Sequence, residues 1–328
     1  MHIVQRDRPL SFLAGLMAAA MLLCSGAALA QNFPSRPITV VVPTPPGGTS
    51  DFVTRVVAEA LSKKLGQAVV VDNKPGAGSN IGTAIVARAK ADGYTLLSAN
   101  TTIAIASALY KDPGFDPAED FSTVGVIGTV PNVLLVNPSF PANTLDEFIE
   151  LIKSHPNKFD FASAGSGSPN HLLGVMLDEY AGLKLHHIPY KGVAPAMTDV
   201  LGNQVPIVFA SLPSALPYIQ SGQLRALGVS SANRSPALPD VPAIGEKIPN
   251  YSGDLWLALF GQKSIPQDVR DELISGIADA VANPQVKDAL AQRGIEPLAL
   301  TAKEFDAFAE AEYQKWGGMV TRAGAQVD

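Results

Sequence analysis

The sequence predicts an α/β protein whose sheets are mostly parallel and covered by helices, and three observations carry that prediction. Short apolar, β-branched runs alternate with stretches of helical period along most of the chain. The runs are apolar throughout instead of alternating with polar residues, which is the pattern of strands buried on both faces. The junctions that follow several of them are rich in Gly, Pro and Ser and lead straight into a helix start.

The elements follow in order. Residues 38–42 form the first strand, 43–50 a Gly/Pro loop, and 51–65 a helix in which Phe52, Val53, Val56, Val57, Ala60, Leu61 and Leu65 recur at three- and four-residue spacing. Gly66 stands at the C-terminal cap. The unit repeats with a strand at 68–71, a loop at 73–79, a helix at 80–90 and, after the Asp92-Gly93 turn, a strand at 94–98. Two extended runs, 123–127 and 132–136, then succeed each other with no helix between them. The rhythm restarts with helices at 145–154, 170–181, 194–201 and 213–221, interleaved with strands at 159–162, 185–188, 206–209 and 224–229. A second α/β unit is therefore expected. A Pro-rich stretch at 236–249 breaks the pattern, and the extended run 255–260 is placed to lead the chain back to the first unit. The tail is helical: Pro266 opens one helix, Asn283-Pro284 the next, and Thr301 to Glu304 has capping-box spacing ahead of Phe305, Phe308 and Trp316.

The N-terminus reads as a secretory signal peptide over residues 1–30. Arg6 and Arg8 precede an apolar core at 10–23, and Ala28-Leu29-Ala30 offers a small-x-small cleavage site before Gln31. The apolar core falls short of the roughly 20 residues of a spanning helix. Cys24 follows Leu23 and not the small residue a lipidation site wants, and it is the only cysteine of the chain. The exported body thus has no disulfide, thiol nucleophile or cysteine zinc site. Cleavage makes that body one unit more acidic than the −6 of the whole chain, and with 16% charged residues it is not expected to bind nucleic acid.

Three loops share one design, small residues between a strand end and a helix start: residues 44–51, 75–80 and 163–170. Glycines let the backbone approach a ligand, helix-start N–H groups favour an anion, and Ser and Thr hydroxyls add short hydrogen bonds. Together they suit a carboxylate. In such sheets ligands sit outside the carboxyl ends of the strands.

Competing chemistries match less well. Gly76, Gly78 and Gly82 make GxGxxxG, not the dinucleotide GxGxxG, and the acidic position about 20 residues on is poorly matched, since Asp92 sits in a turn, so no cofactor is expected. Ser166 and Ser168 lie near His171, which raises an exported serine hydrolase as an alternative, yet Ala164 and Ser168 occupy the glycine places of a nucleophile elbow around Ser166. His186 and His187 are adjacent and point to opposite faces of a strand, so no metal is expected.

The blocks at 43–51 (PxxPGGxxD), 73–82 (NKPGAGSNIG), 163–172 (SAGSGSPNHL) and 188–205 (IPYKGVAPAMTDVLGNQV) resemble, in this order, those of the Bug family, the extracytoplasmic solute-binding proteins of tripartite tricarboxylate transporters. The resemblance runs over nearly all of the chain after residue 30. It implies a two-lobed type II periplasmic-binding-protein fold, a Venus flytrap, each lobe a mostly parallel sheet flanked by helices. Domain 1 would comprise 31–131 and 252–328, and domain 2 would comprise 132–251. It further implies a monomeric periplasmic protein, not an enzyme, that binds a small carboxylate and delivers it to integral-membrane permease subunits; a ligand-dependent sensor or interaction module is the other alternative. Carried over by position, the ligand-binding residues are Thr44, Gly47, Gly48, Thr49, Ser50, Asp51, Gly78, Ser79, Asn100, Thr101 and Thr102 in domain 1. Domain 2 supplies Ser163, Ser166, Gly167, His171, Tyr190 and Ser211. The chain departs from the family pattern at Thr44, where many members carry a larger side chain, and at Ala210, where relatives often have Asp.

Overall fold

The structure, a computed structural model, describes residues 33–298 and 300–327. The expected signal peptide and its cleavage point lie outside the described residues. The body beginning at Arg36 carries ten strands: β1 (Ile38–Val42), β2 (Val69–Asn73), β3 (Thr95–Asn100), β4 (Phe121–Val130), β5 (Asn132–Val136), β6 (Asp160–Ser163), β7 (His186–Pro189), β8 (Ile207–Ser211), β9 (Arg225–Val229) and β10 (Leu255–Gln262).

They form two five-stranded sheets, ordered β2-β1-β3-β10-β4 and β7-β6-β8-β5-β9. In each sheet one strand runs against the rest: β10 is antiparallel to β3 and β4, and β5 is antiparallel to β8 and β9. The remaining pairs are parallel, as β-loop-α connections require. This is the two-lobed α/β architecture expected, each sheet mixed, with two parallel and two antiparallel pairs. The reversed strands explain the two helix-free extended runs, since the chain passes from β4 through Pro131 straight into the other sheet.

The strands at the centre of the sheets are buried, and Val40, Leu97, Leu134 and Phe209 are at most 2% exposed. The outer strands β2 and β7 are only half buried, and Val70 is 50% exposed. An apolar run therefore marked an edge there, because an outer strand lacks a neighbour on one side.

The helices are α1 (Thr49–Leu65), α2 (Asn80–Ala87), α3 (Thr102–Leu109), α4 (Pro117–Asp120), α5 (Leu145–Ser154), α6 (Pro169–Ala181), α7 (Val193–Leu201), α8 (Leu212–Gln220), α9 (Gln267–Ala282), α10 (Pro284–Ala291) and α11 (Ala302–Arg322). Gly66 ends α1 in the left-handed conformation at φ 65°, and Thr301 with Glu304 closes the capping box of α11. Two helices, α3 and α4, are not apparent in the sequence pattern. In α3 the residues Ile103 to Ala106 are all buried, so no polar face marks its period.

The C-terminal helix joins the halves. α11 packs on α3 and β4 of one sheet's layer and on α6 of the other's, with Trp316 fully buried and its indole N–H donating to Glu312 Oε2 at 2.7 Å. Arg322 reaches Glu179 on α6 at 2.8 Å.

Candidate functional site

The loop after β1 is fixed by a small polar network. The Asp51 carboxylate accepts the Gly47 N–H at 2.9 Å, the Asn73 side-chain amide at 3.0 Å and an ion pair from Arg55 at 2.9 Å. Asn73 also donates to the Thr44 carbonyl at 3.1 Å, which ties the loop to the end of β2. Burial alone would raise the Asp51 pKa, yet these bonds together bring it below the ordinary carboxylate value. Asp51 is thus a strut of the loop, its oxygens taken up by protein partners.

The second loop is a single 3₁₀ turn at Ala77–Ser79, with Ala77 and Ser79 at positive φ. Gly78 sits at φ +60°, and a Cβ there would collide with the Tyr110 hydroxyl. The third loop leaves β6 at Ser163, and the Ser168 hydroxyl caps α6 by accepting the His171 N–H at 3.3 Å while donating to the Gly165 carbonyl at 2.7 Å. Gly167, at φ +73°, meets Leu109 across the gap, leaving no room for a side chain.

Two stacked imidazoles support this third loop from behind. The rings of His171 and His187 lie 3.8 Å apart, Nδ1 of His171 accepts the Gly167 N–H at 3.1 Å, and Nε2 of His187 shares a 2.6 Å hydrogen bond with the Ser163 hydroxyl. Burial pushes both pKa values down to about 4, with the neighbouring His171 and His186 adding to the effect at His187. Both rings are neutral near pH 7. Nδ1 of His171 is taken by the Gly167 N–H, and among the described residues no hydrogen bond joins its ring to the Ser166 or Ser168 hydroxyl.

Between the loops lies a cleft of about 390 Å³, within the range of small-molecule sites. Its walls are Pro43 to Pro45, Pro75, Gly76, Gly78 and Ser79 from the first two loops, the α3 face, Tyr110, and residues 164 and 166–169 of the third loop. No Asp, Glu, Lys, Arg or His is among the described residues lining it. The Thr44 hydroxyl at this wall is buried and has no partner among the described residues.

Of the residues expected at a site, Thr44, Gly78, Ser79, Thr102, Ser166 and Gly167 are brought together on this cleft. The others stand behind or beside it. The Ser50 hydroxyl accepts from the Asn100 amide at 3.0 Å, and Asn100 Oδ1 in turn accepts the Thr102 N–H at 2.8 Å. Thr101 is fully buried, its hydroxyl receiving the Trp256 N–H. Ser163 and His171 form the support just described. Tyr190 donates to Asp199 at 2.6 Å, which holds its phenol pKa up at about 12. Thr49 and Ser211 share a 3.4 Å hydrogen bond from one lobe to the other, with Gly47 and Gly48 leading to it. Sequence reasoning missed Ile105, Ala106, Leu109 and Tyr110. Asn100 followed by an unbroken small and apolar run to Leu109 was the available signal for a helix there.

Comparison with known proteins matches residues 53–325 to the model of the tripartite tricarboxylate transporter family receptor. Protein BugT of Bordetella pertussis is 37% identical over 301 residues, covering 91% of this chain and 92% of BugT. Among solved structures, periplasmic binding protein BugD superposes with a TM-score of 0.79 at 36% identity, covering 90% of this chain and 100% of BugD. An R. palustris protein solved with adipate superposes at 0.82 with 31% identity, over 90% of this chain and 100% of that one. Its fold, its ordered loops and these matches place the chain in the tripartite tricarboxylate transporter receptor family, among the Bug solute-binding proteins.

Proposed function

We propose that the protein captures a small carboxylate in this cleft, in the periplasm, and hands it to the integral-membrane permease subunits of a tripartite tricarboxylate-type transporter without altering it. The observation that carries the reading is the convergence of three Gly/Ser/Thr loops from two sheets on one cleft whose lining hydroxyls include the unpartnered Thr44. Hydroxyls and main-chain N–H groups near helix starts hold a carboxylate without a counter-charge. The relative solved with adipate supports a carboxylate as the cargo class.

Capture by closure needs a hinge, and the two crossings between the sheets are suited to one. The Ser230 hydroxyl accepts the Asn132 N–H at 2.8 Å and donates to Asp254 at 2.9 Å, so the outgoing and returning strands are bonded side by side. On this reading residues 31–131 with 252–328 move as one lobe against 132–251. A thermal-shift screen of mono-, di- and tricarboxylates, amino acids and sugars tests the function. A carboxylate at 100 times its Kd stabilises by about 2.7 kcal/mol. Stabilisation by another solute class alone would overturn the proposal.

A further inference from the structure

We infer a second binding site, for an amino acid with an apolar side chain, in a cavity at the end of the first sheet away from the cleft. The inference does not depend on what the cleft itself binds. This cavity has a volume of about 280 Å³ and lies where the start of β4 and the end of β10 meet α4, α9 and α11. Phe121 at the start of β4 pairs with Gln262 at the end of β10, and β4 then runs ten residues to Val130, where the chain crosses to the other sheet. At about 3.3 Å per residue that is about 30 Å of strand, so an occupant here does not compete with cargo for space.

Two buried donors border this cavity unpaired. Ser122 lines it at 9% exposure, and its hydroxyl has no partner among the described residues. The same holds for Nε of Arg270, whose terminal nitrogen instead reaches Asp306 at 3.3 Å and the Thr123 carbonyl at 3.4 Å. Unpaired buried donors are costly, and a carboxylate, with two oxygens, can accept from both. The opposite charge comes from α11, where Asp306, Ala309, Glu310 and Tyr313 share one face by their three- and four-residue spacing. One Glu310 oxygen accepts the Gln314 amide at 3.2 Å, and the other has no partner among the described residues. Lys263, held at the rim by the Ala118 carbonyl and Glu119, completes a wall with two charges of each sign. A ligand carrying one sign alone meets its like there, whereas an amino acid presents its carboxylate to Ser122 and Arg270 and its ammonium to Glu310. The side chain then lies against Pro117, Phe121, Phe260 and Ala309, the two phenyl rings edge to face at 6.4 Å. Burial, with Asp306, Glu310 and Asp116 adding to it, raises the Tyr313 phenol above its ordinary pKa, so this ring brings no further charge.

Titration calorimetry with L-leucine, 4-methylpentanoate and 3-methylbutylamine tests the site, since the last two lack the ammonium and the carboxylate of leucine in turn. Leucine is expected to bind, and Ser122→Ala and Arg270→Gln, with native circular dichroism as the control for folding, should each weaken it at least tenfold. Ser122→Ala removes a buried hydroxyl that has no partner, so it carries the test even where Arg270→Gln does not fold. Thr44→Val, which alters the cleft, should leave leucine unchanged. Glu310→Gln should weaken leucine severalfold and leave 4-methylpentanoate as it was. Absence of leucine binding at millimolar concentration, or binding lost in Thr44→Val and kept in Ser122→Ala, would overturn the inference and leave carboxylate capture standing. So would a Ser122-dependent affinity for 4-methylpentanoate or the amine equal to that for leucine.

Discussion

Thr44→Val separates a hydroxyl kept for cargo from one kept for the fold. The two side chains have nearly the same shape and are both β-branched, so the backbone of the loop is undisturbed. The Thr44 hydroxyl is buried without a partner among the described residues. A buried polar group in that condition costs about 1–3 kcal/mol, and replacing it with a methyl group relieves the cost. The variant is therefore expected to be as stable as the parent or more so, by up to about 1 kcal/mol, in urea unfolding without ligand. Cargo binding should move the other way. A hydrogen bond to a charged group contributes about 1.5–3 kcal/mol, so calorimetry with the best carboxylate from the screen should show Kd rising about 10- to 150-fold. Unchanged affinity would refute the role given to Thr44. A fall in stability of 1 kcal/mol or more would show that the hydroxyl has a partner in the folded protein.

Asp51→Ala should lower stability by about 2 kcal/mol in urea unfolding, because it strands the Gly47 N–H and the Asn73 amide; a variant as stable as the parent would refute the strut. Gly78→Ala should weaken binding, and Tyr110→Phe in the same chain should restore part of the loss by removing the hydroxyl that a Cβ meets; strictly additive losses would count against that contact. Acid stability follows from the stacked imidazoles, whose pKa values of about 4 lie below the ordinary 6.5. The unfolded chain takes up these protons first, so stability is full above pH 6.5 and declines as pH falls to about 4. Asp178 and Asp254, raised by burial to about 6, act with the opposite sign and favour the folded state below that value. His187→Gln, which keeps a hydrogen-bonding group for Ser163, should therefore flatten the acid limb of stability against pH, and an unchanged slope would contradict the account.

Much of the scaffold was legible because its signals are local. Gly66, Asn283-Pro284 and the Thr301 capping box mark helix ends by their own chemistry, and the central strands announce double-sided burial by uniform Val, Ile and Leu. The three loops were legible as a set, and residues of each meet on the cleft. What the pattern hid was the division of labour within them. Asp51, Thr101 and Ser163 look like ligand groups by type and position, yet their polar atoms are bonded to the protein, through partners such as Asn73, Trp256 and His187 that are distant in sequence. The α3 wall escaped notice for a related reason. A helix covered by α11 on one side and facing the cleft on another has almost no polar face, and hydrophobic period is silent there.

The most direct test of carboxylate capture is a crystal structure of the protein with its best-binding carboxylate. The account predicts the carboxylate group between the lobes, within hydrogen-bond reach of the Thr44 hydroxyl and of hydroxyls among Ser79, Thr102 and Ser166. A carboxylate seated outside this cleft, or held there by a charged side chain with Thr44 still unpartnered, would contradict it.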